Sequence, residues 1–409
     1  MTFLLDGRSL SAELGEPLAV ALVAAGALSL ARSPKFHRPR GPSCFRAACD
    51  GCLARVDDRP NVMTCRVRTV GGAEVVSQNA LGSRTTDLLR MTDWFFPNGM
   101  NHHELFAGVP GLQSVMQAFA RRVAGLGKLP TSVLAPKAAR RAALDVCVVG
   151  AGPSGMATAL AFTKKGRSVR VIDDGIEAGG VARSFGGERG PFGGLLADFR
   201  DAVARGHISL SLETTAGAFY ERDLLVVGDV GAEILTAATM VLAAGAHDGQ
   251  AAFEGNDVPG VMSMRAAATL LAHGVLVGDR IAWVADEEAS PLGVAFVERA
   301  RSHGAEVLEF TSLPSEALGN ADVTGVAFSE AGERVLYDVD AVVLDLPPCP
   351  SHELAVQVGA RVRHEPRGYV VVSDERGSIA DGVLGVGEMV GTALSLHAIL
   401  AEAERVSGP

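Results

Sequence analysis

The chain has 409 residues, 48% of them hydrophobic, enough to bury two or three separate cores. Its net charge of −10 leaves no basic patch to neutralise phosphates, which argues against a nucleic-acid binder, and six cysteines with four in one local array do not look like a secreted disulfide framework. The apolar run Leu18 to Ala31 is too short to span a bilayer and follows Asp6, Glu13 and Glu16 instead of a basic leader, so the chain reads as cytoplasmic with no membrane span.

Thr2 to Leu5 and Leu10 to Glu13 flank the turn Asp6-Gly7-Arg8, predicting a hairpin that feeds a buried helix from about Pro17 to Gly26. A segment rich in Pro and basic residues, Arg32 to Ser43, leads into Cys44, Cys49, Cys52 and Cys65, spaced C-x4-C-x2-C-x12-C. Three thiolates on one tight loop plus a distant fourth is the plant-type 2Fe-2S arrangement, because two irons need four soft sulfur ligands at tetrahedral corners. A zinc site and unliganded core cysteines are the competing readings. Zinc knuckles more often show two similar C-x2-C pairs, and only Cys49 and Cys52 form one. Leu53 to Asp57 alternates like a strand, Asp58-Arg59-Pro60-Asn61 turns, and Val62 to Thr69 carries Cys65 back beside the loop. Two strands, a helix and two more strands is the order of a β-grasp ferredoxin.

The stretch Arg38-Pro39-Arg40-Gly41-Pro42-Ser43-Cys44, with Cys49-Asp50-Gly51-Cys52, Arg59-Pro60-Asn61-Val62 and Cys65, resembles a known small 2Fe-2S domain. That domain accompanies bacterial hydrogen cyanide synthase, D-hydroxyproline dehydrogenase and opine oxidases, and a cysteine-free version opens the sarcosine oxidase alpha subunit. Cluster-holding relatives carry glycines between the first two cysteines, where this chain has Phe45-Arg46-Ala47-Ala48. Without glycine the backbone loses easy access to positive φ, so a strained or refolded loop is expected.

Gln78 to Leu144 lacks strand alternation. Gln78-Asn79, Asp93-Trp94-Phe95-Phe96-Pro97-Asn98-Gly99 and Ala124-Gly125-Leu126-Gly127 resemble in order the connecting segment of the sarcosine oxidase alpha subunit. A helix is predicted over Gln113 to Val123, an aromatic docking surface between domains around Trp94, and an exposed tether over Leu129 to Arg141. His102-His103 is a poor metal pair, since adjacent side chains on a strand point to opposite faces.

Leu144 to Val149 reads as a buried strand, followed at once by Gly150-Ala151-Gly152-Pro153-Ser154-Gly155 and an alanine-rich helix to Lys165. The strand Val169-Arg170-Val171-Ile172 then delivers Asp173 about twenty residues on, completing a dinucleotide fingerprint. Gly150 permits the tight turn, Gly152 lets backbone approach a pyrophosphate, Gly155 lets helix pack on strand, and the helix N-terminus supplies donors. Asp173 is the expected ribose partner, with Asp174 as the alternative.

Three further signatures resemble those of glutathione and thioredoxin reductases. Glu177-Ala178-Gly179-Gly180 matches their extra diglycine, with Arg183 after it as a candidate phosphate contact; Met240 to His247, with Ala244 and Gly245, matches the returning strand. Val383-Leu384-Gly385-Val386-Gly387-Glu388 matches the third signature, where the family has Gly-Asp and the Asp binds the flavin ribityl chain; Glu388 is one methylene longer. The second glycine loop of those reductases should follow Arg280 to Val284, but the chain reads Ala285-Asp286-Glu287-Glu288-Ala289-Ser290-Pro291, so a structurally intact, empty second fold is expected. Phe253 to Met262 resembles the matching stretch of the sarcosine oxidase alpha and cyanide synthase flavoprotein subunits.

No catalytic residues stand out. Cys147 reads as core, Cys349 lacks a partner, and a lone His247 at a junction is more often structural. No C-x2-C pair exists outside the cluster loop, which removes thioredoxin reductase chemistry. The resulting organisation is α/β: a ferredoxin-like domain at 1–80, a linker at 81–143, a dinucleotide-binding domain at 144–250 returning at 346–409, and a degenerate NAD-binding-like domain at 251–345. The resemblance implies an electron-transfer subunit of a heteromeric FAD-dependent amine or imino-acid dehydrogenase or oxidase. Its partner would be a D-amino-acid-oxidase-like beta subunit, and its acceptor a quinone or soluble carrier. The alternatives are a scaffold subunit with a structural NAD or ADP-type nucleotide at the same site, and a stand-alone flavin dehydrogenase.

Overall fold

The computed structural model describes residues 1–34, 36–95, 109, 111–115, 138–229, 231–285 and 289–408. His102-His103, most of the expected helix Gln113 to Val123, and Asp286-Glu287-Glu288 lie outside the described residues.

The first sheet runs, edge to edge, Arg8–Ser11, Thr2–Leu5, Glu74–Val76, Leu53–Val56, Arg59–Met63. The helix Leu18–Ala24 packs onto it with every residue from Leu18 to Val23 buried. Its end is set by Gly26 at φ +79, with the Ala27 and Gly26 amides donating to the carbonyls of Leu22 and Val23 in a Schellman closure. Three expectations shift. The second strand is Arg8–Ser11, earlier than expected. The turn is Asp57-Asp58, both at positive φ (46° and 63°), which suits a two-residue hairpin, so Arg59-Pro60-Asn61 belongs to the strand. Cys65 sits in a single 3-10 turn, Thr64–Arg66, and not on a strand. The central strand Glu74–Val76, parallel to Thr2–Leu5, was not foreseen, because three residues carry too little alternation to register.

The linker start is strapped to the segment that leads into the cysteines. Buried His37 donates from Nδ1 to Asp87 at 2.9 Å, and Arg38 pairs with Asp93 at 2.7 Å. Trp94 is 75% exposed, and Phe96 of the expected docking surface lies outside the described residues.

Among the described residues, eight strands form the main sheet. Ile208–Ser211, Val169–Ile172, Arg140–Val149 and Gly231–Leu242 lie side by side in parallel. The long strand Gly231–Leu242 pairs early with the antiparallel Asp223–Gly228 and late with the parallel Val383–Gly385. It therefore joins the first part of this unit to its C-terminal return. Helices Pro153–Lys164, Gly193–Ala204 and Leu396–Ser407 cover this sheet. A second parallel sheet, ordered Val261–Ser263, Ala341–Asp345, Arg280–Ala285, Glu306–Phe310, carries helices Met264–Ala272 and Pro291–Ser302. On it rests a three-stranded meander, where Phe310 stacks on Phe328 at 3.9 Å. The inner strands Arg280–Ala285 and Ala341–Asp345 and the ends Val146 to Val149 and Met240 to Leu242 are buried, nearly all apolar runs, as strands covered on both faces must be.

Candidate functional site: a cysteine loop on the wall of a dinucleotide cavity

The glycine loop has the shape that its residues dictate. Gly150 lies at φ +105, and a Cβ there would stand 2.4 Å from the carbonyl oxygen of Ala243; one on Gly155 would stand 1.9 Å from that of Gly150. The first glycine thus makes the turn and the third brings helix onto strand. A Cβ on Gly152 would meet nothing within 4 Å. That open face is where a pyrophosphate would come against backbone. No side chain caps the helix at Gly152, so its first-turn N–H groups remain at the cavity that Gly152, Pro153 and Ser154 line.

The cavity holds about 990 Å³. Gly180, Arg183, Ala244, Gly245, Gly387 and Glu388 line it; Gly179 lies against Arg183 and Leu196, and Gly180 against Gly152. Arg183 is paired with Glu177 at 2.5 Å, so its guanidinium is shared at the rim. His247 also reaches the cavity and pairs with Glu353 at 2.9 Å.

Asp173 and Asp174 both line the cavity, with different surroundings. Asp173 accepts from the Ala151 amide at 2.6 Å and the Gly175 amide at 2.7 Å, and burial pushes its carboxyl above the ordinary range. It is a latch between strand end and glycine loop. Asp174 has the exposed carboxylate, 56% accessible and 3.3 Å from Arg66. Asp173→Asn should therefore destabilise the fold by about 1–3 kcal/mol, since one buried amide loses its acceptor. Asp174→Ala should leave Tm in place and weaken dinucleotide binding about tenfold, readable by calorimetric titration.

Glu388 of the third signature lines the cavity. Its carboxylate is bound by Arg265 at 2.5 Å and stands beside Gly245, so it is already engaged in an ion pair. Arg265 is 8% exposed and comes from the helix Met264–Ala272, whose local sequence gives no sign of this role.

Among the described residues no three His, Cys, Asp or Glu side chains converge as a single ion would need. The four cysteines instead form two pairs. Cys44 lies 3.3 Å from Cys49, and Cys65 hydrogen-bonds Cys52. Within each pair the sulfurs act on one another: the hydrogen bond with Cys44 draws Cys49 down to about 5, against burial, and that with Cys65 lowers Cys52. Two sulfurs per iron is the donor set of a two-iron cluster with bridging sulfides. Backbone amides face the sulfurs, Arg46 N–H reaching Cys44 at 3.3 Å, with Ala48 also on Cys44 and Ala47 on Cys65.

This is achieved without the glycines of the relatives. Phe45 and Ala47 adopt φ of 53° and 58°, the left-handed region itself. The loop is strained, not refolded; each such residue costs about 1–2 kcal/mol, partly returned as the wider freedom that glycine would lose on folding. Ala47→Gly should thus be neutral to stabilising by up to about 1 kcal/mol in thermal unfolding.

The loop forms part of the cavity wall. Phe45, Arg46, Ala47, Ala48 and Cys65 line the same space as Gly150 and Gly152. In the second parallel sheet, the start of the helix Pro291–Ser302 is engaged from within the fold. Asp345, 4% exposed, accepts from the Ser290 amide at 2.9 Å at the start of the helix Pro291–Ser302, and a Cβ on Gly293 would fall 2.0 Å from its Oδ2.

Residues 1–80 match the family described as a 2Fe-2S iron-sulfur cluster binding domain, and residues 148–199 the NAD(P)-binding Rossmann-like domain. The chain is 30% identical over 308 residues, 68% of its length, to sarcosine oxidase subunit alpha of Rhizobium meliloti (strain 1021), of which it covers 31%. It is 29% identical over 306 residues, 69% of its length, to that of Corynebacterium sp. (strain U-96), of which it covers 28%. It thus spans about a third of the length of these curated relatives. In structure it resembles L-proline dehydrogenase from P. horikoshii, with TM-score 0.74 at 21% identity over 100% of this chain and 72% of that one. It also resembles Lactococcus lactis thioredoxin reductase, with TM-score 0.51 at 12% identity over 64% of this chain and 96% of that one. Both likenesses concern the fold alone. At about 30% identity over two thirds of its length, the chain is a homologue of sarcosine oxidase alpha subunits that carries an N-terminal 2Fe-2S domain.

Proposed function

We propose that the chain is the electron-transfer subunit of a heteromeric FAD-dependent amine or imino-acid dehydrogenase or oxidase, with Cys44, Cys49, Cys52 and Cys65 holding a 2Fe-2S cluster. The observation that carries this is the cysteine loop on the wall of the dinucleotide cavity. A bound FAD takes up electrons in pairs and releases them singly, and a 2Fe-2S cluster carries one at a time. In the overall reaction the substrate C–N unit gives up a hydride and a proton in a D-amino-acid-oxidase-like partner subunit, and a quinone or soluble carrier takes up the two electrons. Within this chain, Gly152 and the start of the helix Pro153–Lys164 hold the pyrophosphate, Asp174 holds the ribose, and Asp173 holds the glycine loop in shape. Asp345, occupying the corresponding helix start in the second fold, supports a reading in which electrons do not enter from NAD(P)H.

The test is the visible spectrum of anaerobically purified protein before and after dithionite, with acid-released nucleotide identified by chromatography. Flavin bands and a broad sulfur-to-iron shoulder that bleaches with dithionite and not with NADH are expected. A colourless protein with stoichiometric NAD would favour the second reading, a scaffold subunit with a structural NAD or ADP-type nucleotide. The engagement of Glu388 by Arg265 is the observation on that side.

A further inference from the structure

Four charges of alternating sign run from the cysteine loop to the nucleotide cavity. Arg46, between Cys44 and Cys49, donates to the Ala246 carbonyl at 3.0 Å and stands 3.5 Å from Asp248 Oδ1. The side chain of Asp248 is 5% exposed; it accepts from Ser263 Oγ at 2.7 Å and lies 3.6 Å from Arg265 Nε. Arg265 closes the series on Glu388. Next to Glu388, Gly387 lies against Ser154 at the glycine-loop helix, where a Cβ would come within 2.6 Å of the Ser154 hydroxyl. The backbone follows the same path, with the Ser263 amide donating to the Ser43 carbonyl at 3.0 Å. The three inner side chains are nearly dry, so their charges act on one another through a medium less polarisable than water. Arg46 is the member at the rim, 36% exposed, and its loss leaves Asp248 still facing Arg265.

We propose that Arg46 is a positioning residue that ties the cysteine loop to the dinucleotide site and sets the electrostatics of the cluster from that side. The inference rests on the reading that the cysteines hold a 2Fe-2S cluster and the cavity an FAD. One-electron reduction adds a negative charge at the cysteine loop, and the guanidinium of this loop residue, held against Ala246 and Asp248, favours it; net charge nearby is among the factors that set iron-sulfur potentials. Asp248, of opposite sign and in contact with the same guanidinium, acts in the opposite direction.

The experiment is an anaerobic dithionite titration of the full chain, loaded with cluster and FAD, followed by electron paramagnetic resonance of the reduced cluster. Arg46→Gln should shift the midpoint to more negative potential with iron and FAD content unchanged. Arg46→Lys, which keeps the charge, should lie nearer the wild type, and Asp248→Asn should shift the other way. A plain packing role would not produce opposite signs. Equal midpoints for wild type and Arg46→Gln, or a lysine variant no nearer the wild type than the glutamine one, would overturn the inference and leave the reading standing. A wild-type protein without an iron-sulfur signal would overturn the reading, and the inference with it.

Discussion

Cys52→Ala is expected to abolish the iron-sulfur absorption and the paramagnetic signal of the reduced protein, and Cys49→Ala, Cys44→Ala and Cys65→Ala should each do the same. In the proposed cluster each iron would rest on two protein sulfurs, so one loss would leave an iron with a single thiolate. Cys147 is the control. It is fully buried in the strand Arg140–Val149, in a core cluster separate from the one that holds Cys52 and Cys65. Cys147→Ala should leave the spectrum intact and cost about 1 kcal/mol of stability from lost contacts. Iron quantitation with the dithionite difference spectrum separates the cases: a Cys52→Ala protein that keeps two irons would remove the cysteines from the role assigned here.

The second large effect belongs to Gly152. Because a Cβ there meets nothing in the protein, Gly152→Val should fold with near-native Tm while its side chain fills the space through which a pyrophosphate approaches. Dinucleotide affinity should fall about a hundredfold, roughly 2.7 kcal/mol. Gly155→Val makes the contrast, since its Cβ would collide with the Gly150 carbonyl at 1.9 Å. That variant should lose stability along with binding. Retained nucleotide in Gly152→Val, measured by ultrafiltration, would place the pyrophosphate elsewhere in the cavity.

The two cofactor motifs were legible in the sequence because each is local. The cysteines from Cys44 to Cys52 share one loop, and Gly150 to Gly155 form one strand-turn-helix, so spacing alone carries the geometry. Legibility failed where a role depends on which way a side chain turns. Asp173 and Asp174 are neighbours of the same type at a strand end, and only the amides of Ala151 and Gly175 decide which carboxylate is consumed internally. The missing glycines in the cysteine loop were visible, yet whether the backbone would accept left-handed φ at Phe45 and Ala47 depended on the pull of the sulfurs and amides around it.

By itself the sequence determined the chemistry that this chain is equipped for: four soft ligands in a two-iron spacing, and a glycine loop between strand and helix. The tertiary structure decided how the two stand to each other. Arg46 meets Ala246 across 200 positions of chain, and Arg265 meets Glu388 across 123. No local periodicity encodes such contacts, because they follow from how separately folded sheets are brought together. That docking, and not any motif, puts the cysteine loop on the wall of the dinucleotide cavity.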